Sequence, residues 1–461
     1  MFIGISKPTC LYSSGTLPPL TMSSSALRKI IKARFLLSAE TNLVRGVVCQ
    51  YSQEAPVETV QDVKNHLIEV MGIQRSYKPL QLSRSHLLEY LPKSQDELPV
   101  RKMKDSFSSV VIPLSTDITL QEKYVTFLGH VRLGRLMEDM DIFAAWVAHK
   151  HILNPRKPAG QPTPYVIVTV LVDQIDFTDI TPKHDGDIRL SGHVSWVGKS
   201  SIEVTVWLEQ LLHGSWQKLT RAVFLMAARN SILSGPAIVN LLEPETEEEK
   251  EIFRGGELRK KRRVKVQQES LFKMTPDVNE QRLIHDLFLK TIDLHRMSFH
   301  KRILPPRSLW MEDAQLSNIV FSHPEDRNLH NKVFGGFLMR QALELSWTAG
   351  YLYSKFRPRL CHISDISFHK PVDVGSLLRM NSLVTYTECN YVQITVYAEV
   401  FDPRGGQQNT TNVFHYTYEM PEEVPQIIPK SYQEAMMYLD GRRHFQHVMG
   451  LSDNTHSSTA T

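Results

Sequence analysis

Three groups of residues in this chain have types and spacings suited to chemistry. The first is Asp141, flanked by Met140, Ile142 and Phe143. It lies in RLMEDMDIFAAWVAH (135–149), a stretch apolar around most of a helical circumference, seven residues past Gly134. A buried carboxylate is costly unless it is paired or at work. The other reading puts Asp141 on a single wet edge with Glu138. The second group is the polar loop from His323 to Phe334, which runs into Gly335-Gly336 at the start of another apolar helix. Free N–H groups at a helix start can hold an anion or a developing oxyanion, and glycines let a ligand approach the backbone. Close packing against a neighbouring element is the alternative use of such a pair. The third group is cationic. Lys199 and Ser200, in Val197-Gly198-Lys199-Ser200-Ser201, and the run Arg259 to Arg263 are candidates for phosphate; otherwise they are solvated side chains.

Several chemistries are missing. There is no Gly-x-Ser-x-Gly elbow, no phosphate loop and no Gly-x-Gly-x-x-Gly fingerprint. No His-Glu-x-x-His or paired-cysteine spacing suggests a metal, and none is expected. His149 and His151, two apart at a helix end, read as surface residues. No cofactor is implied.

The elements that would position these groups come as a repeat. Gly134 leads into one apolar helix and Gly336, 202 residues on, into FLMRQALELSWTAGYLY (337–353). YVIVTVLVDQIDF (165–177) matches LCHISDISF (360–368), and residues 187–210 match 376–400. Trp196 falls on Tyr386 and Val204 on Ile394, and these segments alternate like antiparallel strands. A further strand is expected near 106–114 in the first copy and near 315–322 in the second. Each unit is then a strand, a long buried helix and three or four strands, an α+β arrangement. The expected divisions are a first domain over 57–240, a charged helical linker over 241–300, a second domain over 301–446 and a disordered tail over 447–461. Amphipathic helices are expected at 57–73 and 431–446. The linker, with six glutamates from Glu243 to Glu251 followed by Arg259 to Arg263, reads as a solvated helix whose charges suit its dipole.

The 461-residue chain has a formal net charge of +4. Residues 1–52 carry Lys7, Arg28, Lys29, Lys32, Arg34 and Arg45 against Glu40, so that segment is +5 and the rest −1. A nearly neutral body gives no support for nucleic-acid binding. The basic, Ser-rich, amphipathic leader is expected to be a mitochondrial transit peptide. Of four cysteines, Cys361 and Cys389 would remain after its removal, which suits a reducing compartment. No run of 18 apolar residues suggests a membrane span.

SGHVSWVGKSS, VFGGFLMR, KPVDVGSL, TTNVFH and MYLDGRRHF, with the repeat, resemble the double-hotdog acyl-coenzyme A thioesterases from about residue 57 to 446. The resemblance implies two tandem hotdog domains, each an antiparallel sheet wrapped around a long central helix. It implies hydrolysis of acyl-coenzyme A in the mitochondrion, with the matrix as the expected compartment, and assembly of the chains into homo-oligomers. It places an Asn eight residues before the second glycine, which is Asn328, and an acid seven after the partner glycine, which is Asp141. Asp141 would be general base or nucleophile and Asn328 would orient water or thioester. The N–H groups near Gly335 and Gly336 would hold the oxyanion, with Lys199 and Ser200 candidates for coenzyme A. The reciprocal pair is Thr126 and Leu343, so one site of two would be dead, although Glu344 adjoins Leu343. Two rivals are a hotdog hydratase or dehydratase using His330 and Glu344, and an inactive acyl-coenzyme A sensor.

Overall fold

The computed structural model describes residues 58–72, 84–177, 181–293, 295, 299–326, 332–406 and 408–451. The leader, Asn328, His330 and the tail beyond residue 451 lie outside the described residues.

In the first half, β1 (Glu58–Thr59) and α1 (Val60–Met71) precede β2 (Ser108–Ile112), α2 (Ile118–Tyr124) and α3 (Leu133–His151). Five strands follow: β3 (Tyr165–Val172), β4 (Ile175–Asp176), β5 (Ile188–Val197), β6 (Ser201–Leu212) and β7 (Ser215–Asn230). The middle of the chain is α4 (Glu247–Glu269) and α5 (Val278–Lys290). The second half has β8 (Ser308–Trp310), β9 (Gln315–Phe321) and α6 (Gly335–Ser354), then β10 (Arg359–Ile363), β11 (Ile366–Phe368) and β12 (Leu377–Glu388). It closes with β13 (Tyr391–Phe401), β14 (Gln408–Glu419), β15 (Gln426–Ile428) and α7 (Tyr432–Val448).

The order β2-β5-β6-β7-β3 in the first half is matched by β9-β12-β13-β14 in the second, where β10 and β11 both pair with β14. The expected repeat is therefore present in strand order. It extends to irregularities: β5 shifts register between Val194 and Trp196, and β12 between Val384 and Tyr386. Val194 pairs with Val204 as Val384 pairs with Ile394. The halves do not fold as separate sheets. β3 pairs antiparallel with β11 and β4 with β10, so one sheet runs through both.

Alternating apolar residues put one face of each half-sheet against a helix. Leu136, Met140, Phe143 and Val147 of α3 are buried beside Leu190, Val204 and Val206. Met339, Ala342 and Ala349 of α6 are buried with Met380, Ile394 and Phe414. The two helices cross antiparallel through glycine. A Cβ on Gly134 would lie 3.3 Å from the Arg340 Cα, and one on Gly336 would lie 2.7 Å from the Glu138 Cα. Both glycines are helix–helix contact points at equivalent positions of the repeat.

Three expectations change. His149 and His151 are buried, not on the surface, because α3 runs under α1 and the 152–162 connection; His151 Nε2 is 3.0 Å from the Asn240 carbonyl. The charged segment is not a solvated linker. It breaks into α4 and α5, and α4 lies on the outer face of the first half-sheet. Gly256 is buried, where a Cβ would come within 2.4 Å of Trp196, and the Trp196 indole donates to Glu257 at 2.6 Å. Nor are its arginines free for phosphate. Arg259 donates to the fully buried Glu203 at 2.6 Å and Arg262 to Asp173 at 2.8 Å, while Arg263 stands 3.6 Å from Glu203. Buried carboxylates on the sheet require partners, and this helix supplies them. In the second half α7 takes the equivalent place, with Gly441 pressed onto Thr385.

Candidate active site

Several helices begin with a side chain that caps them. Thr59, Thr246, Asp277 and Ser431 each form a capping box with the acid three residues later, and Asp117 caps α2 by accepting from the Leu120 N–H. The two long buried helices differ. α3 starts after Arg132 and α6 after Phe334, and neither N-cap residue offers a side-chain hydrogen bond. Their first N–H groups are left for something else.

At α6 that partner comes from the other half of the chain. The Gly336 N–H donates to Asp141 Oδ2 at 2.8 Å. The Thr169 hydroxyl of β3 donates to Asp141 Oδ1 at 2.6 Å. Asp141 is only 3% exposed. Burial pushes its carboxyl up to about 6; the hydrogen bonds from Thr169 and Gly336 pull it back, and the nearby Glu138 charge adds a smaller upward push. Glu138 itself is held by Arg135 at 2.7 Å and Arg340 at 3.0 Å. The wet-edge reading of Asp141 is thus excluded, while Glu138 remains partly exposed. Among the described residues the Gly335 N–H has no hydrogen-bond partner. The pair expected to face one oxyanion is therefore divided: Gly336 binds the carboxylate and Gly335 is open. Neither position tolerates a side chain. A Cβ on Gly335 would lie 2.9 Å from the Phe368 ring and 3.3 Å from Asp141 Oδ2.

Thr169 was not singled out from sequence. The signal available was a lone hydroxyl in the apolar strand YVIVTVLV, and the strand's register shift between Thr169 and Leu171 re-aims the side chains there. Asp141, Gly335, Gly336 and Thr169 are brought together. Lys199 and Ser200 are not in contact with them. They occupy the β5–β6 turn, pinned by hydrogen bonds from the Val239 and Ala228 N–H groups to their carbonyls. Thr169 pairs with Met226 and Met226 with Ile202, so the turn is two strand steps away, roughly 10 Å. Asn328 lies outside the described residues.

At the reciprocal location, Leu343 is buried where the repeat places it opposite Asp141. Thr126 accepts from the N–H groups of Leu128 and His130 at 3.3 and 3.2 Å, so it holds its own loop together. Glu344 is paired with Arg132. The carboxylate required by a hydratase pairing with His330 is thereby already engaged.

The arrangement offers a buried carboxylate raised toward neutrality, a helix N-terminus with an open N–H, and a hydroxyl fixing one carboxylate oxygen. Such a set can activate water, or attack, at a carbonyl carbon while stabilising its oxygen. No family model matches the chain. It is 42% identical over 427 residues to the mitochondrial acyl-coenzyme A thioesterase 9 of Mus musculus, covering 92% of this chain and 96% of that one. It is 41% identical over 432 residues to the protein of the same description from Homo sapiens, covering 93% and 97%. Among solved structures, an acyl-coenzyme A hydrolase of Staphylococcus aureus with butyryl coenzyme A aligns at 18% identity and a TM-score of 0.30, covering 31% of this chain and 91% of that one. By the extent and identity of the first two matches, the chain belongs to the family of acyl-coenzyme A thioesterases.

Proposed function

We propose that this protein hydrolyses acyl-coenzyme A thioesters to the free acid and coenzyme A, at one site per chain built from both halves. The observation that carries the reading is the Asp141 carboxylate, on the helix of the first half, bound to the N-terminus of the helix of the second. The thioester carbonyl accepts the Gly335 N–H and gains from the α6 dipole as its oxygen becomes negative. Asp141 takes a proton from water as the water oxygen bonds to the carbonyl carbon. The carbon–sulfur bond then breaks, and the thiolate leaves and is protonated. In the alternative course Asp141 bonds to the carbonyl carbon itself, and water cleaves the resulting anhydride. Asn328, within the loop that runs from His323 into Gly335, orients the water or the thioester. Thr169 and the Gly336 N–H each hold one carboxylate oxygen, which fixes the direction in which Asp141 presents its remaining lone pairs.

The finer assignments belong to the same proposal. Each half, over 57–240 and 301–446, is a hotdog unit with its long helix central, and 241–300 joins them. Residues 1–52 direct the protein to the mitochondrion, with the matrix as the compartment. Chains assemble into homo-oligomers. Lys199 and Ser200 meet the coenzyme A phosphates, a role their distance from Asp141 permits because coenzyme A is long.

The deciding experiment is thiol release from acyl-coenzyme A by the protein lacking residues 1–52, with Asp141→Ala and Asn328→Ala alongside. Release by the wild type and loss of most of kcat in both folded variants is the expected result. Full activity in either variant removes that residue from the mechanism. Tight binding without release turns the reading to a sensor, and loss of enoyl absorbance without thiol turns it to a hydratase.

A further inference from the structure

The outer face of the second half-sheet carries the one group of three metal-ligating side chains among the described residues: His415 of β14 with Asp440 and His444 of α7. Strand alternation sends His415 outward. Its neighbours Phe414 and Tyr416 are buried on the inner face, where the Tyr416 hydroxyl donates to the Met339 carbonyl of α6 at 3.4 Å. Asp440 and His444 stand four residues apart, so one face of α7 presents both. Gly441 beside them is pressed onto Thr385 of β12. The donor atoms of the three side chains all lie within 4.8 Å of one another. α6, whose N-terminus holds Asp141, is on the other side of the sheet.

The surroundings leave the donors available. His415 Nδ1 is 3.3 Å from the Thr395 hydroxyl, which is itself 3.1 Å from Thr385 Oγ1. A polar group behind a ligating histidine orients the ring, and here it leaves Nε2 without a hydrogen-bond partner among the described residues. Burial first, and the charge of His444 second, hold the His415 imidazole well below its usual pKa, so it keeps its lone pair. Asp440 has no hydrogen bond or ion pair among the described residues. Arg443, one turn along, is committed to Glu280 of α5 at 2.6 and 2.7 Å. His444 stacks on His415 with ring centroids 3.6 Å apart and planes 16° apart. A cation about 2.1 Å from each donor sets tetrahedral ligands about 3.4 Å apart. The cluster must therefore close by little more than an ångström, with His444 turning off the stack, and its partly exposed place on the helix leaves room for that.

The repeat shows what this patch replaces. In the first half Gly256 is pressed onto Trp196 at the register shift of β5, as Gly441 is onto Thr385 at that of β12. Three residues past the first glycine, Arg259 donates to Glu203 at 2.6 Å and ties α4 to the sheet. Three residues past the second is His444. At the offset of 190 Glu203 becomes Gln393, which accepts from the Thr417 hydroxyl at 2.5 Å, so α7 meets no buried carboxylate there. Instead Val223, opposite Thr205, has become His415, opposite Thr395, and Gly255 has become Asp440. The ion pair is lost where all three donors are gained.

We propose that His415, Asp440 and His444 bind a divalent transition-metal ion of the zinc type, which ties α7 to the second half-sheet as Arg259 ties α4 to the first. Two imidazoles and one carboxylate suit zinc, with water completing the shell. The site is separate from Asp141, and neither reading depends on the other.

The test uses the full chain, dialysed against a chelator, with zinc chloride as the probe. Calorimetric titration should show one zinc ion taken up per chain. Zinc at about one hundred times its Kd should raise the unfolding temperature by about 3 °C. His444→Phe keeps a ring over His415, and Asp440→Asn keeps the shape of the carboxylate, so both should fold. Each should weaken zinc binding about tenfold or more and cut the thermal shift by half or more at the same zinc concentration. Thr395→Val, which touches no ion, should weaken binding about tenfold by freeing the His415 ring. If either ligand variant does not fold, the other decides. No uptake of zinc overturns the proposal. So does uptake with a thermal shift that a folded ligand variant retains in full, which assigns the ion to surface histidines.

Discussion

Replacing Asp141 by Asn should stabilise the protein above pH 6 while abolishing turnover. The side chain keeps its shape. Its oxygen can accept the Gly336 N–H now held at 2.8 Å, and its amide can donate to Thr169 Oγ1, whose hydroxyl rotates to accept. What disappears is a buried charge. Burial pushes the carboxyl from 3.8 up to about 6 in the folded protein. A folded-state value above the unfolded one means that the native state binds the proton more tightly. Stability from that proton is fully present below the unfolded value of 3.8 and is lost as pH rises through about 6. The loss corresponds to about two units, or about 3 kcal/mol. The variant has no such proton and no such loss. Denaturant unfolding of both proteins between pH 4 and pH 8 measures the difference, and every other titrating group cancels between them. The stability of Asp141→Asn relative to wild type should rise by about 2.5 kcal/mol across that interval, most of it between pH 4 and about 6 and centred near pH 5. A difference that is flat with pH, or that falls, would refute the claim that Asp141 is a desolvated carboxylate held at a cost to stability.

The same carboxylate should set the acid limb of activity. kcat/KM should fall tenfold per pH unit below about 6, and a limb near 4 in the pH–rate profile would contradict the burial argument. Thr169→Val removes a hydrogen bond that lowers the Asp141 pKa, so its acid limb should move to higher pH with reduced kcat; an unmoved limb rules out that contact. Gly336→Ala drives a Cβ to 2.7 Å from the Glu138 Cα, so the helix crossing must shift, with about 1–3 kcal/mol lost in thermal or denaturant unfolding and turnover lost as well. Arg259→Ala leaves Glu203, fully buried, without its 2.6 Å partner and should destabilise by about 3 kcal/mol in the same assay, with kcat per folded molecule unchanged.

Much of this protein could be read from its residues. The repeat shows in sequence because each half needs the same alternation of apolar residues on its strands and the same apolar helix. The bulges at Trp196 and Tyr386 fall where the alignment set those residues opposite one another. Asp141 could be found because a carboxylate within an apolar helix is rare unless it has a task. Gly335 and Gly336 could be found because a paired glycine at a helix start is a local signal. Tertiary structure decided how those signals combine. Gly336 packs on Glu138 and also gives its N–H to Asp141, a division of labour that depends on where two helices 195 residues apart cross. Thr169 joins the site only because β3 runs beside α3 with its register shifted at that point. The arginines of α4 resemble a solvated charge run in sequence, since their partners Glu203 and Asp173 lie on distant strands. His149 and His151 resembled surface residues because helix-end position is local, whereas their burial is set by chain packed over them from elsewhere. Periodicity and rare residue types are local properties and are written in the chain. Which polar group meets which is settled by the crossing of elements far apart in sequence, and only the folded molecule contains it.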